Sequence, residues 1–161
     1  MIDYTIYEVN GLANLNIALL TDLHDRDYFE ILEITRESNP DIIFVCGDFL
    51  LNELISEQSI RVYGFISTQK NVLSFLNACS KLCVTYVSFE NHEWILTGDD
   101  IKQIESTGVI VLDDSWERLP QHLGGEIFIG GLNSAFLNIF RFARELNHEY
   151  SFYHEGGTTC I

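Results

Sequence analysis

Apolar and polar positions along this chain change period several times, and each change marks a predicted element. Leu15-Asn16-Ile17-Ala18-Leu19-Leu20 reads as a buried strand. Residues 2–9 alternate partly in polarity and Asn10-Gly11 is a turn signal, so the two segments are expected to pair as a hairpin. Tyr28, Ile31, Leu32 and Thr35 share one helical face, opened by a capping-box-like Asp27 and Glu30 and closed by Asn39-Pro40. Ile42-Ile43-Phe44-Val45-Cys46 is a continuous apolar run stopped by Gly47-Asp48, the pattern of a central strand covered on both faces. Val72, Leu73, Phe75, Leu76 and Cys79 return to helical spacing, and Val84-Thr85-Tyr86-Val87-Ser88 is a further β-branched run that ends at Glu90-Asn91-His92-Glu93. A short helix over 101–107 with Gly108 as C-cap, strands over 109–112 and 126–129, and a last helix over 134–146 follow. The tail 148–161 shows no clear periodicity and takes no assignment.

Strands alternating with helices predict an α/β fold, a mostly parallel or mixed sheet with flanking helices, and ligands of such sheets bind beyond the carboxyl ends of the strands. The strands ending near Leu20, Cys46 and Ser88 are each followed by a cluster of metal-ligand type: Asp22-Leu23-His24, Gly47-Asp48 and Asn91-His92.

With 161 residues the chain suits a single domain over 1–161, and a hydrophobic share of 47% with only 2 prolines is that of a folding chain rather than a disordered one. A formal net charge of -15 repels phosphate backbones and anionic lipid, which argues against long nucleic acids and membranes as partners. Most of that charge reads as a solvated surface, but two divalent cations would cancel about four of the negative charges. Cys46, Cys79, Cys83 and Cys160 have neither disulfide-framework nor complete zinc-site spacing, and no basic region leads into an apolar core at the N-terminus. A reducing, cytoplasmic setting is the expectation.

Hard or borderline divalent ions choose carboxylate oxygen, amide oxygen and imidazole nitrogen, and Asp22, His24, Asp48, Asn91 and His92 offer all three. Asp22 and His24, two apart in an extended segment, can aim at one ion, and a carboxylate such as Asp48 can bridge two. Paired metals roughly 3.5–4 Å apart clamp the attacking and leaving oxygens in phosphoryl displacement. Taken singly, Asp22, Asp48 and Asn91 read as turn formers or helix caps; three clusters in order at three strand ends reverse that balance. His122, His148 and His154 keep the structural reading, and Asn147-His148-Glu149, at the end of a predicted helix, repeats the letters of Asn91-His92-Glu93 by coincidence.

Thr21-Asp22-Leu23-His24, Gly47-Asp48 and Glu90-Asn91-His92-Glu93 resemble the calcineurin-like metallophosphoesterase family, whose blocks read D-x-H, G-D and G-N-H-D/E. The resemblance runs from about Leu15 through Gly130-Gly131-Leu132 and implies a partial calcineurin-like α/β sandwich. It also implies that Asp22 and His24 bind a first metal, Asp48 bridges, Asn91 binds a second, and His92 is catalytic, protonating the leaving oxygen while a hydroxide held between the metals attacks phosphorus. Two divalent ions (Mn, Fe or Zn) and a phosphorylated substrate, a mono- or diester, follow from the same resemblance. The chain departs from the family at Glu90, where the family has glycine, and in lacking the later histidine blocks, among them G-H-x-H. These departures suggest a domain truncated at its C-terminal end, with an exposed sheet edge available for self-association. The rival is an impaired or inactive remnant that acts at most as a binding module. A Rossmann-type nucleotide binder and a serine hydrolase rank below both, since neither G-x-G-x-x-G nor G-x-S-x-G is present.

Overall fold

A computed structural model describes residues 5–7, 14–51, 66–93, 96–123 and 127–132, with Asn91 described through its backbone. Strands β1 (Ile17–Leu20), β2 (Ile42–Cys46), β3 (Val84–Ser88) and β4 (Ile110–Val111) form one sheet in the order β1-β2-β3-β4, and all of its pairs are parallel. Helices α1 (Phe29–Glu37), α2 (Val72–Leu82) and α3 (Gly98–Glu105) alternate with the strands, so the protein is α/β as its periodicity predicts. The expected last helix and the tail lie outside the described residues.

Alternation along β2 and β3 divides the interior into two cores. Ile43, Val45 and Val87 face the helices and pack with Leu32 of α1, Phe75, Leu76 and Cys79 of α2, and Ile104 of α3. Ile42, Phe44 and Tyr86 point to the opposite face and meet Leu112, Leu119, Leu123 and Ile129. Ile129 belongs to an antiparallel pair, β5 (Ser115–Arg118) with β6 (Phe128–Gly131), while Leu112, Leu119 and Leu123 come from the segments on either side of the exposed β5. Gly131 lies so close to Leu112 that any side chain there would run into its Cβ and carbonyl oxygen. The short second sheet is thereby docked against the end of β4.

Four expectations need correction. Residues 5–7 are not in a strand, Ile6 and Tyr7 are both 81% exposed, and β1 pairs in parallel with β2, so the hairpin is not supported where it is described. Asp27 does not form a capping box, because α1 starts one residue later: Tyr28 is the N-cap and Glu30 falls at the second helical position instead of the third. Asp27 Oδ1 instead accepts from Phe29 N at 3.0 Å, an Asx turn ahead of the helix. The third helix begins at Gly98 rather than 101, where Thr97 and Asp100 form a capping box that the unfavourable Gly98 had obscured. Lastly, β5 is a strand without a periodic signal, because its Ser-Trp-Glu-Arg sequence is exposed throughout and carries no apolar alternation, and its partner runs to Gly131 instead of Ile129.

Asp100 does more than cap. Its side chain is 1% exposed; Oδ2 accepts from Thr97 N at 2.9 Å while Oδ1 accepts from Ile66 N at 3.2 Å, tying α3 to the turn before α2. Thr97→Ala should therefore lower the unfolding free energy by about 1 kcal/mol. Asp100→Ala, which also orphans a buried N–H, should lower it by about 2–3 kcal/mol. Urea unfolding midpoints compare the two, and equal losses would show that the Ile66 bond contributes nothing.

Candidate metal centre

In the parallel register Leu20 stands beside Val45, and Cys46 beside Ser88, so the chain leaves three adjacent strands at one edge of the sheet. The loops that leave there are held in conformations that side chains seldom adopt. Asp22 (φ 59°), His24 (φ 49°), Asp25 (φ 51°) and Asp48 (φ 52°) all have left-handed backbones. Asp and His tolerate that region better than most residues, but each still costs about 1 kcal/mol or more, and such outliers gather where a site requires a particular backbone shape.

Backbone bonds between the loops maintain these conformations. His24 N donates to Asp48 O at 3.0 Å and Asp25 N to Phe49 O at 2.9 Å, while Gly47 N donates to Ser88 O at 3.0 Å. The Asp25 carboxylate accepts from the backbone N–H groups of Lys70, Asn71 and Val72 at 2.8, 2.6 and 3.2 Å. It thus caps α2 from another loop, in place of the N-cap residue Asn71, whose side chain makes no cap bond.

The result brings together Asp22, His24 and Asp48: one ligand-type atom from each lies within 4.8 Å of the others. His24 Nε2 is 3.6 Å from Asp22 Oδ1, and Thr21 Oγ1 donates to Asp22 Oδ2 at 2.9 Å. Asp22 is exposed and His24 and Asp48 are half-buried, so the cluster opens to solvent on the Asp22 side. Asp48 Oδ1 is buried and has no hydrogen-bond partner, the one such side-chain atom among the described residues. A buried carboxylate oxygen with nothing to accept is an expensive arrangement unless a cation occupies that position. Two carboxylates and an imidazole also match the donors that divalent ions choose, so these residues fit a metal.

His92 lies beside this cluster, its ring centroid 4.8 Å from that of His24, and His92 Nδ1 is 3.1 Å from Leu50 O. A carbonyl oxygen only accepts, so Nδ1 carries the proton of this bond and Nε2 is the ring's other nitrogen. Asn91 opens the short 3-10 turn Asn91–Glu93 next to it, but its side chain lies outside the described residues. His122 is exposed in the turn Gln121–Leu123, within the cover of the opposite sheet face; His148 and His154 lie outside the described residues.

Two glutamates flank the centre, Glu93 at the end of the Asn91–Glu93 turn and Glu90 just before it. Glu93 is 1% exposed and receives four backbone N–H groups from both neighbouring loops. Burial pushes its carboxyl up to about 7, although the N–H donors favour the charged form. Glu90 packs against Gly47. A Cβ added at Gly47 would overlap Glu90 Cβ and lie 3.0 Å from Glu90 N. Burial, then the charges of Asp48 and Asp22, raise the Glu90 carboxyl above the usual range, with His92 pulling it back. The glycine that permits the close approach of these two loops is therefore Gly47, and Glu90 adds negative charge at the mouth of the centre.

No protein-family model matches the chain, and no curated protein matches its sequence. Among the described residues, no helix is long and apolar enough to cross a membrane.

Gly47→Ala should be destabilising by about 3 kcal/mol, from the strain of a side chain at φ 69° and from overlap with Glu90. In a Glu90→Gly background the overlap with the Glu90 Cβ is removed while the tight approaches to its backbone N and Cα at 3.0 and 3.3 Å remain, so a double-mutant cycle should return about 1–2 kcal/mol of coupling. Additive losses would place the two residues apart.

Proposed function

We propose that this chain is a calcineurin-like metallophosphoesterase domain that hydrolyses phosphate mono- or diesters. The observation that carries the reading is the orphaned, buried Asp48 Oδ1 inside a cluster with Asp22 and His24. Asp22, His24 and Asp48 would hold the cation, and Asn91, on the adjoining turn, is the candidate ligand for a second. At such centres Mn, Fe or Zn supplies positive charge against the phosphate oxygens and lowers the pKa of water. His92, held by Leu50 O through Nδ1, would give a proton from Nε2 to the departing oxygen. The net charge of -15 favours a compact phosphorylated substrate over a long polyanion.

A second reading, a metal-binding module without turnover, is favoured by the extra carboxylate of Glu90 and by a described cluster of three ligands, enough for one ion. Metal content and hydrolysis separate the two. Purified with manganese, the wild-type chain should retain it and cleave a chromogenic phosphate ester. Asp48→Asn should lose both, and His92→Gln should keep the metal while turnover falls about 10²–10⁴-fold. Manganese retained without turnover would select the second reading, whereas a folded wild-type chain that binds no manganese would end both.

Stability should move in the opposite sense. Asparagine accepts a left-handed backbone at least as readily as aspartate and removes repulsion with Glu90. Metal-free Asp48→Asn should thus melt no lower than metal-free wild type. Manganese should raise the melting temperature of the wild type alone.

A further inference from the structure

We infer that Glu93 is the positioning residue of this centre: its carboxylate joins the Asp48 loop to the turn carrying Asn91 and His92, and in doing so sets the affinity for a divalent cation. The inference rests on the metal-binding reading above and goes beyond it by assigning control of the site to a residue that would touch neither metal nor substrate.

The bonding is divided evenly. Glu93 Oε1 accepts from Phe49 N at 3.1 Å and Leu50 N at 3.2 Å, and Oε2 accepts from Asp48 N at 3.0 Å and Glu90 N at 2.9 Å. Three consecutive N–H groups, starting at the left-handed Asp48, are thereby turned toward one point. Leu50 extends the frame, since its N–H goes to Glu93 while its carbonyl receives His92 Nδ1. The orientations of the ligand carboxylate and of the imidazole therefore depend on the same group.

A role limited to cohesion explains this poorly. Glu93 is 1% exposed, and none of the ion pairs among the described residues involves it. A buried carboxylate without a cationic partner is a costly means of joining two loops, and apolar packing would join them more cheaply. What the carboxylate adds is direction, because four N–H groups from two loops can be satisfied together in one arrangement.

Glutamine distinguishes direction from cohesion. In Glu93→Gln the amide NH2 must take the place of one oxygen, where it faces two N–H donors, so half of the frame is released while size and shape persist. Manganese affinity is measured by titration calorimetry on full-length wild type, Glu93→Gln and Val109→Ala, at a temperature where circular dichroism shows each folded. Val109 is buried ahead of β4 and serves as a control for lost stability. Glu93→Gln should bind manganese about tenfold or more weakly, as expected when a residue supporting a ligand is altered. Val109→Ala should bind as wild type does. Equal affinity in Glu93→Gln and wild type would overturn the inference while leaving the metal-binding reading intact. Absence of manganese binding by wild type would overturn that reading first and the inference with it. Should Glu93→Gln not fold, amide hydrogen exchange of metal-free wild type decides. Asp48, Phe49, Leu50 and Glu90 N–H should be protected together, and rapid exchange at these four would overturn the inference.

Discussion

β2 is the strand on which the described sheet and both of its cores are built. It is hydrogen-bonded along both edges, to β1 and β3, and its side chains are covered on both faces. A strand enclosed in this way has no freedom of register, because a slip of one residue would exchange Ile43 and Val45 for Ile42 and Phe44 and mismatch both cores. Its carboxyl end is therefore fixed in space, and so is the point where Gly47 and Asp48 leave it. Since β1 and β3 run parallel to β2, their ends arrive at the same edge, and the loops that follow have to meet.

That meeting is crowded and electrically unfavourable. Asp22, Asp48 and Glu90 bring like charges to one edge, and four residues there hold left-handed backbones without being glycine. The opposing contributions are local. Asp25 gathers three N–H groups at the start of α2, Glu93 gathers four from the loops after β2 and β3, and backbone bonds link the first loop to the second. Left-handed backbones and like charges are concentrated at the rim, and the apolar burial that offsets them lies in the two cores beneath it.

Some of this was legible in the residue pattern. The continuous run Ile42–Cys46 announced a strand with no exposed face, and the helical spacing of Val72 to Cys79 announced α2, because burial writes itself into the order of apolar positions. Asp22, His24, Asp48 and His92 were legible as candidates because chemistry-bearing residues stood just past strands. Other parts left no such trace. The Ser-Trp-Glu-Arg strand is held by pairing with β6 and not by its own polarity, and the start of α1 was decided by which N–H group Asp27 reached.

The α/β alternation, the central place of β2 and the identity of the residues gathered at the strand ends could be read along the chain, since they follow from composition and period, which are local properties. The convergence of Asp22, His24 and Asp48 within 4.8 Å, the Asp48 oxygen without a partner and the room that Gly47 makes for Glu90 arise only when the loops meet in the folded chain. Folding also gives Asp25 and Glu93 their partners 45 residues away in the chain. Hydrogen bonds and close approaches of this kind join loops that no periodicity connects, and their geometry exists only after the sheet has set the distance between its strands.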